Sequence, residues 1–256
     1  MDLLCREHDL TLDFTPIDTG DMPEFDFDDT LDGLIAKGWT GVTITHPHKN
    51  KARARAADGM ISEVAHLPAS NLLTFHPEIR GFNTDYTGFI GAWRTEMGNA
   101  IPGQVAVAGA GGVAGAIVPA LVELGATDIA VWDQARGVAA RLAEAVDGPV
   151  RAISMSDAPA VISDADGLVN ASALGMGDDR RSAFPIETIG SQAWAFDAVY
   201  TPTRTTFLRA AASRGLTTIS GFDLFRHMIL GSFEAYSGVR PNKDKMLPLI
   251  DALRPD

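Results

Sequence analysis

Apolar and polar residues follow one regular pattern in the larger, C-terminal part of the chain. From about residue 104 onward, short apolar runs alternate with longer amphipathic stretches. Apolar runs of this length indicate buried strands of a parallel sheet, and the amphipathic stretches indicate helices that cover it. The sequence predicts strands at 105–108, 128–132, 150–153, 167–170, 193–199 and 217–219, and helices at 114–124, 136–145 and 207–214. This order predicts a doubly wound parallel sheet with right-handed crossovers.

The first hundred residues have a less regular pattern. The sequence predicts a helix end at 1–8, an alternating strand at 10–17, a helix at 29–37, a strand from 39 that ends in a proline turn before Lys49, a helix at 50–57, a strand-like run at 67–75 and a helix that ends near 97. Two further helices are predicted at 224–236 and 247–253. The turn cluster at 99–103 indicates a domain boundary. We therefore expect a two-domain α/β protein.

A glycine-rich turn joins the first strand of the regular region to its first helix. Residues 109–114 read GAGGVA, which satisfies the pattern G-x-G-x-x-G/A directly after an apolar run. Gly109 permits a tight turn, Gly111 lets the backbone approach a pyrophosphate, and the small Ala114 lets helix and strand pack closely. Free N–H groups at the helix start favour phosphate. A structural glycine turn is the alternative. The predicted cofactor-binding residues here are Gly109, Ala110, Gly111, Gly112, Val113 and Ala114.

The end of the second strand bears on which dinucleotide binds. Asp133 lies about 20 residues beyond the glycine turn, where a carboxylate accepts hydrogen bonds from the adenosine ribose hydroxyls of NAD. The same carboxylate repels the 2′-phosphate of NADP, so NAD is favoured. Arg136 can turn towards that phosphate, and NADP stays open. We expect a Rossmann dinucleotide-binding domain at 99–222 and a substrate-binding domain formed by 1–98 and 223–256.

Composition and charge argue against several classes of partner. The chain has 256 residues and a formal net charge of −12, and nucleic acid is not expected because a phosphate backbone needs a basic face. No apolar run reaches the roughly 18 residues of a membrane-spanning helix, so no membrane partner is expected. The single cysteine, Cys5, forms no internal disulfide or cysteine metal cluster and suits a reducing cytoplasm. No metal site is predicted.

Two stretches of the first domain carry candidate chemistry. Lys49 follows a predicted strand and precedes a helix, where an α/β sheet places its active-site groups. A solvated surface charge is the commoner role of any one lysine. GFNTD at 81–85 puts Asn83, Thr84 and Asp85 at a helix start, where a simple N-cap is the alternative.

Six segments, in order, resemble the signatures of the shikimate/quinate dehydrogenase family. GVTITHPHK at 41–49 is similar to GVNVTxPxK, with Thr43 in place of asparagine, and ASN at 69–71 is similar to AVN, with Leu72 in place of the threonine that follows. GFNTD at 81–85 matches GxNTD unchanged. After the glycine turn, NASALGM at 170–176 resembles NATPLGM, and FDAVYTPTRTTFL at 196–208 resembles the D-x-x-Y-x-P-x-x-T stretch. The resemblance runs from about residue 12 to residue 238.

The resemblance implies an NAD(P)-dependent dehydrogenase of aromatic amino acid (chorismate) biosynthesis. It implies hydride transfer between the cofactor and the C3 hydroxyl or keto group of a small anionic cyclic polyol carboxylate, shikimate or quinate, with the active site in a cleft between the domains and the protein a monomer or homodimer. Lys49 and Asp85 are implied as the acid/base pair. The implied substrate-binding residues are Thr45, Asn71, Asp85, Tyr200 and Met228. The further implied cofactor-binding residues are Asn170, Ala171, Ser172, Met176, Val199 and Gly221.

Departures from the family pattern leave the substrate open. The family's first strand, with the serine pair that grips the substrate carboxylate, is missing from this chain. The start is therefore assigned too late, the carboxylate is held otherwise, or the substrate differs. Met228 stands where the family has glutamine, with Arg226 and His227 beside it. Asp133 stands where NADP-binding members carry Asn-Arg-Thr.

Two other functions therefore stay open. One is a dehydrogenase of the same fold for another cyclic polyol or an amino analogue. The other is a catalytically weak dinucleotide-binding regulatory protein, against which the presence of both Lys49 and Asp85 argues.

Overall fold

The structure is a computed structural model that describes residues 1–20, 22 and 24–255. Its α-helices in this part of the chain are α1 (Asp2–Glu7), α2 (Phe27–Ala36), α3 (Lys49–Ala56), α4 (Thr84–Glu96), α5 (Ala114–Glu123), α6 (Val138–Ala145), α7 (Ala158–Asp164), α8 (Thr206–Ser213), α9 (Gly221–Ser237) and α10 (Lys243–Asp251). The strands are β1 (Gly41–Thr43), β2 (Leu72–Thr74), β3 (Arg80–Phe82), β4 (Gln104–Ala108), β5 (Asp128–Trp132), β6 (Val150–Ala152), β7 (Gly167–Asn170), β8 (Trp194–Asp197) and β9 (Thr217–Ser220).

The chain divides into two compact units. The first unit comprises Met1–Thr84 and Ile229–Ile250, and the second comprises Asp85–Met228 and Asp251–Asp256. The domain boundaries drawn from the sequence stay a prediction, and they span Asp21, Pro23 and Asp256, which lie outside the described residues. Helix α9 contributes residues to both units. Neither α9 nor any other described helix has the length and apolar character needed to cross a membrane.

The second unit is built on a six-stranded sheet in the order β6-β5-β4-β7-β8-β9, with every neighbouring pair parallel. The predicted α/β class with a doubly wound parallel sheet is confirmed. The strand order reverses between β4 and β7. In a sheet of this kind ligands bind at that reversal, outside the carboxyl ends of the strands.

Aromatic contacts attach helix α4 to this sheet. The ring centroids of Phe89 and Phe196 are 4.9 Å apart, and those of Trp93 and Trp194 are 4.8 Å apart at nearly a right angle. Each indole N–H donates to a backbone carbonyl, that of Trp93 to Ala100 and that of Trp194 to Pro102. Buried indoles with satisfied N–H groups combine large apolar burial with a fixed orientation. The part of α4 that carries Phe89 and Trp93 is thereby anchored in the second unit.

The first unit contains a small antiparallel sheet in the order β1-β2-β3. The strand predicted at 10–17 is wrong, because these residues form no regular structure. Their alternating apolar side chains are exposed, Phe14 to 73%. Alternation favours a strand only where a neighbouring strand takes up the backbone N–H and C=O groups, and no described segment pairs with this one.

Candidate active site

The glycine turn lies at the end of β4 beside the segment that follows β7. Gly109 donates its N–H to the carbonyl of Trp132 at 2.9 Å, and its φ is +98°. A Cβ at this position would lie 2.8 Å from the carbonyl of Ala171 and the amide nitrogen of Ser172. Both the positive φ and this close approach therefore require glycine. The turn is thus at the reversal of strand order.

The start of α5 fits the phosphates of a dinucleotide. Gly111 and Gly112 are exposed, and a Cβ on either would meet nothing within 4 Å. The N-cap residue Val113 makes no side-chain cap, whereas Ala114 is fully buried against the sheet. Backbone N–H groups of a helix start without a capping side chain favour an anion. The chemistry that these residues present is therefore that of a pyrophosphate site.

Asp133 ties the glycine turn to the end of β5. Its Oδ2 accepts from the N–H of Ala110 at 2.7 Å, and its Oδ1 accepts from the N–H of Ala135 at 2.8 Å. A carboxylate offers about four acceptor positions, so these two bonds leave acceptor capacity for hydroxyl groups. Arg136 lies in the same loop and is exposed.

A buried carboxylate to which the sequence alone assigns no role connects the ends of β7 and β8. Asp197 accepts from Asn170 Nδ2 at 2.9 Å, from Thr205 Oγ1 at 2.6 Å and from the N–H of Val199 at 3.0 Å. Burial raises the pKa of Asp197 to about 6, against the lowering effect of these three hydrogen bonds. The sequence signal for this pair is the D-x-x-Y-x-P-x-x-T stretch, in which Asp197 is the first position and Thr205 the last.

Asn170, which is bonded to Asp197, in turn holds the segment after β7 by hydrogen bonds. Its Oδ1 accepts from the N–H of Ser172 at 3.0 Å and from Ser172 Oγ at 2.7 Å, and its Nδ2 also donates to the carbonyl of Leu174 at 3.0 Å. The segment that carries the predicted cofactor-binding residues 170–172 is therefore held by a bonded network rather than by packing alone.

Some of the remaining predicted residues of the second unit have defined contacts, whereas the side chains of others have no hydrogen bond or ring contact with them in the described part of the chain. Gly221, the first residue of α9, lies against the segment that follows β8, because a Cβ there would be 2.7 Å from the carbonyl oxygen of Val199. Tyr200 is exposed to 58% and stacks on Phe225, with ring centroids 6.4 Å apart. Met176 is 57% exposed, and in the described residues no hydrogen bond or ring contact connects its side chain, or that of Arg136, to the others.

The polar neighbours of Met228 on α9 have partners within the second unit. His227 is buried, with Nε2 3.1 Å from Thr95 Oγ1. The buried guanidinium of Arg226 pairs with Asp223, Glu96 and Asp251. This network also contains Arg254, which donates to Asp223 at 2.7 Å. These side chains therefore stabilise the second unit.

In the first unit, backbone bonds bring Lys49 and Asn71 to the same end of the small sheet. Ile44 donates its N–H to the carbonyl of Asn71 at 2.8 Å, and Ser70 donates to the carbonyl of Lys49 at 3.0 Å. Thr45, directly after Ile44, is exposed, and Lys49 is half-buried.

The Asn71 side chain fixes the start of α4. Its Oδ1 accepts the N–H of Thr84 at 2.8 Å, and its Nδ2 donates to Thr84 Oγ1 at 3.0 Å. The next residue along the chain is Asp85, which is 6% exposed in the first turn of the helix. Asn71 thus accepts one of the backbone N–H groups that a helix start leaves without an intrahelical partner.

A parallel sheet with a glycine turn, an uncapped helix start and a carboxylate at its reversal of strand order defines a Rossmann-type dinucleotide-binding protein. Comparison with known proteins is more specific, although no family model matches the sequence. The chain is 34% identical over 227 residues to the shikimate dehydrogenase (NADP(+)) of Methylobacterium radiotolerans, across 86% of this chain and 80% of the relative. It is 32% identical to the quinate/shikimate dehydrogenase (NAD(+)) of Corynebacterium glutamicum, across 84% and 78%.

Solved structures give the same result. The quinate dehydrogenase of Corynebacterium glutamicum in complex with NAD superposes with a TM-score of 0.88 at 28% identity, over 98% of this chain and 92% of that one. The shikimate 5-dehydrogenase of Thermus thermophilus in complex with NADP(H) and shikimate gives 0.79 at 28% identity, over 97% and 91%. The chain belongs to the shikimate/quinate dehydrogenase family, and the protein is an NAD(P)-dependent oxidoreductase.

Proposed function

We propose that this protein is a shikimate or quinate dehydrogenase that favours NAD. The reaction exchanges a hydride between the nicotinamide and the C3 hydroxyl or keto group of the cyclic acid. The single observation that carries the proposal is the bonded cluster at the end of the small sheet, in which Ser70 fixes the backbone of Lys49 and Asn71 fixes the helix start that carries Asp85. The names of the relatives support the same substrate class.

Lys49 and Asp85 are proposed as the acid/base pair. A bound nicotinamide supplies the hydride acceptor or donor. Removing hydride from a secondary alcohol requires removal of the hydroxyl proton, and the reverse reaction requires a proton donor at the carbonyl oxygen. The Lys49 amine takes that proton in one direction and returns it in the other, and its ammonium form stabilises developing alkoxide charge.

Other side chains orient the ring in this proposal. Asn71 Nδ2 carries two protons, of which one is directed to Thr84, and the second is assigned to a ring hydroxyl. The Asp85 carboxylate accepts from the neighbouring hydroxyl. Thr45, Tyr200 and Met228 are proposed to face the ring, and the segment 170–176 with Val199 and Gly221 is proposed to line the nicotinamide.

The choice between substrates is tested by the absorbance of reduced nicotinamide. Shikimate, quinate and two other cyclic polyols, one of them an amino analogue, are each combined with NAD and with NADP. Turnover of shikimate or quinate is expected. Turnover only of another polyol would replace the proposed substrate, and NAD binding without any turnover would contradict the proposed reaction.

The preference for NAD rests on Asp133 and has its own test. Asp133→Ala is expected to raise the KM for NAD about tenfold and to change the KM for NADP much less, because a ribose acceptor is lost while repulsion of the 2′-phosphate is relieved. Asp133→Asn, which keeps one acceptor for Ala135, separates this effect from loosening of the turn. Arg136→Ala is the control for phosphate contact. Equal losses for both cofactors in Asp133→Ala would refute the ribose role.

The partners, location and oligomeric state of the protein are proposed from its sequence and its family. A small anionic cyclic polyol is the expected partner, with no nucleic acid or membrane. The buried free Cys5 supports a reducing, cytoplasmic location. Monomer and homodimer both remain compatible with the proposed reaction, and sedimentation analysis distinguishes them.

A further inference from the structure

Two hydroxyl groups meet on the small sheet of the first unit, at a position assigned no role above. The Tyr236 hydroxyl of α9 lies 2.8 Å from Thr43 Oγ1 at the end of β1. The ring of Tyr236 covers Gly41, where a Cβ would lie only 2.8 Å from Tyr236 Cε1. Glycine at 41 therefore leaves the space in which the tyrosine ring lies.

This pair occupies the same face of the chain as Thr45. Thr43 and Thr45 are exposed, and Ile44 between them is buried at 6% exposure, as expected for an extended segment whose side chains alternate between faces. Extended residues two apart are separated by roughly 6.6 Å. The hydroxyl pair therefore lies two residues before Thr45 along the chain, whereas Lys49 lies four residues after it.

The pair is a source of neutral hydrogen-bond donors. Burial raises the pKa of Tyr236 to about 12, so its hydroxyl stays protonated. Two hydroxyls that share one hydrogen bond have a second proton left over. In the described residues the structure gives the Tyr236 hydroxyl no hydrogen-bond partner besides Thr43. One donor is thus available at the pair. The Thr45 hydroxyl donates to the His46 carbonyl at a long 3.4 Å, and by rotating it can supply a second donor.

The same face of α9 contacts the other end of the predicted site. Ser232, one helical turn before Tyr236, lies with its Oγ 3.3 Å from Thr84 Oγ1. Residues four apart are on one face of a helix. The face of α9 that carries Tyr236 therefore also contacts Thr84, to which the Asn71 side chain is bonded.

We propose that Thr43 and Tyr236, together with Thr45, bind the carboxylate of the substrate. The inference rests on the proposed function. Two neutral donors separated along the chain match the two acceptor oxygens of a carboxylate. The carboxylate is separated from the reacting hydroxyl by ring carbons, so its donors have to lie several ångströms from Lys49. Thr43 and Tyr236 are then specificity-determining residues.

The test compares an acid substrate with its carboxamide, in wild type and in two variants. Tyr236→Phe keeps the ring over Gly41 and Thr43→Val keeps the shape of the side chain. Each is expected to raise the KM for the acid about 10-fold, in the range of a lost hydrogen bond to a charged group. The KM for the carboxamide, the KM for NAD and kcat should each change less than about threefold. The control is Ser237→Ala, on the same helix, whose Oγ donates to Phe233.

Each result supports or overturns a distinct claim. Selective loss for the acid supports carboxylate binding by the pair. Equal changes in KM for acid and carboxamide, or a lower Tm with unchanged KM values, would show that the pair only attaches α9 to β1. If the wild type turns over neither shikimate nor quinate, the proposed function fails and this inference fails with it. If the wild type is active and both variants match it, the inference alone fails.

Discussion

The two units differ in what their candidate sites are made of. In the second unit the strands are largely buried, and the proposed cofactor contacts come mostly from backbone N–H groups around Gly109 and the start of α5. In the first unit the strands are three residues long, and the proposed chemistry rests on the side chains of Lys49, Asn71 and Thr45. A site built from backbone groups is disrupted by a substitution that adds atoms, whereas a site built from side chains is disrupted by a substitution that removes the side chain. This difference predicts the outcome of matched substitutions.

The largest effect is expected where the side chain does the chemistry. Lys49→Ala should lower kcat by about two to four decades, as loss of an acid/base group does, and leave NAD affinity unchanged, since no cofactor contact is assigned to it. Stopped-flow turnover and NAD titration measure both quantities. Lys51→Ala, an exposed lysine on the same helix, is the control. If Lys49→Ala retained its activity, the chemistry would not depend on this side chain, and the proposed difference between the two units would be wrong.

The next effect is expected from one added methyl group in the second unit. Gly109→Ala forces a positive φ on alanine and places a Cβ against Ala171 and Ser172. NAD affinity should fall about 10- to 100-fold, which corresponds to the usual strain energy. Gly215→Ala is the control, because Gly215 also has a positive φ, +85°, but has nothing within 4 Å of its Cβ. Equal NAD affinities of the two variants would show that close approach at Gly109 is unimportant.

The smallest effect concerns pH and the buried carboxylate of Asp197. Its pKa is raised from 3.8 to about 6, so the folded state favours the protonated form. The resulting stabilisation is complete below the ordinary pKa and is lost as the pH rises through about 6. The free energy of unfolding of wild type, minus that of Asp197→Asn, should therefore fall by about 2 kcal/mol between pH 4 and pH 7.

Urea denaturation across that pH range measures the difference. Asp164→Asn, which removes an exposed carboxylate, controls for the loss of one negative charge. A difference between wild type and Asp197→Asn that stays constant with pH would mean that the carboxylate titrates as an exposed one does.

The strands of the second unit were easier to predict from the sequence than those of the first unit. The strands of the parallel sheet were predictable because a strand buried on both faces is a short continuous apolar run between turns. The segment at 10–17 alternates as a strand does, yet it is unpaired in the described structure. Strand β3 escaped prediction because RGF at 80–82 has a charged residue and a glycine in place of an apolar run. Helix α7 escaped because its seven residues make about two turns, too few to show a helical period.

The site was predictable only where chemistry follows directly from local sequence. The glycine turn, Asp133, Lys49 and Asp85 stand next to strand ends or helix starts that the sequence indicates, although their roles stay predictions. Asp197 and Thr205 form a bond only because β8 and the residues after it turn back on one another. The pairing of Thr43 with Tyr236 joins residues 193 positions apart. No local pattern specifies such a pair.

The class of this protein follows from local features of its sequence. Periodicity sets which segments are strands or helices, and glycine, proline and cap residues set where they end, because these preferences act within a few residues. Which polar groups meet depends instead on how the whole chain folds. A hydrogen bond between distant residues depends on strand order and helix packing, and its strength depends on burial, which exists only once the chain is folded.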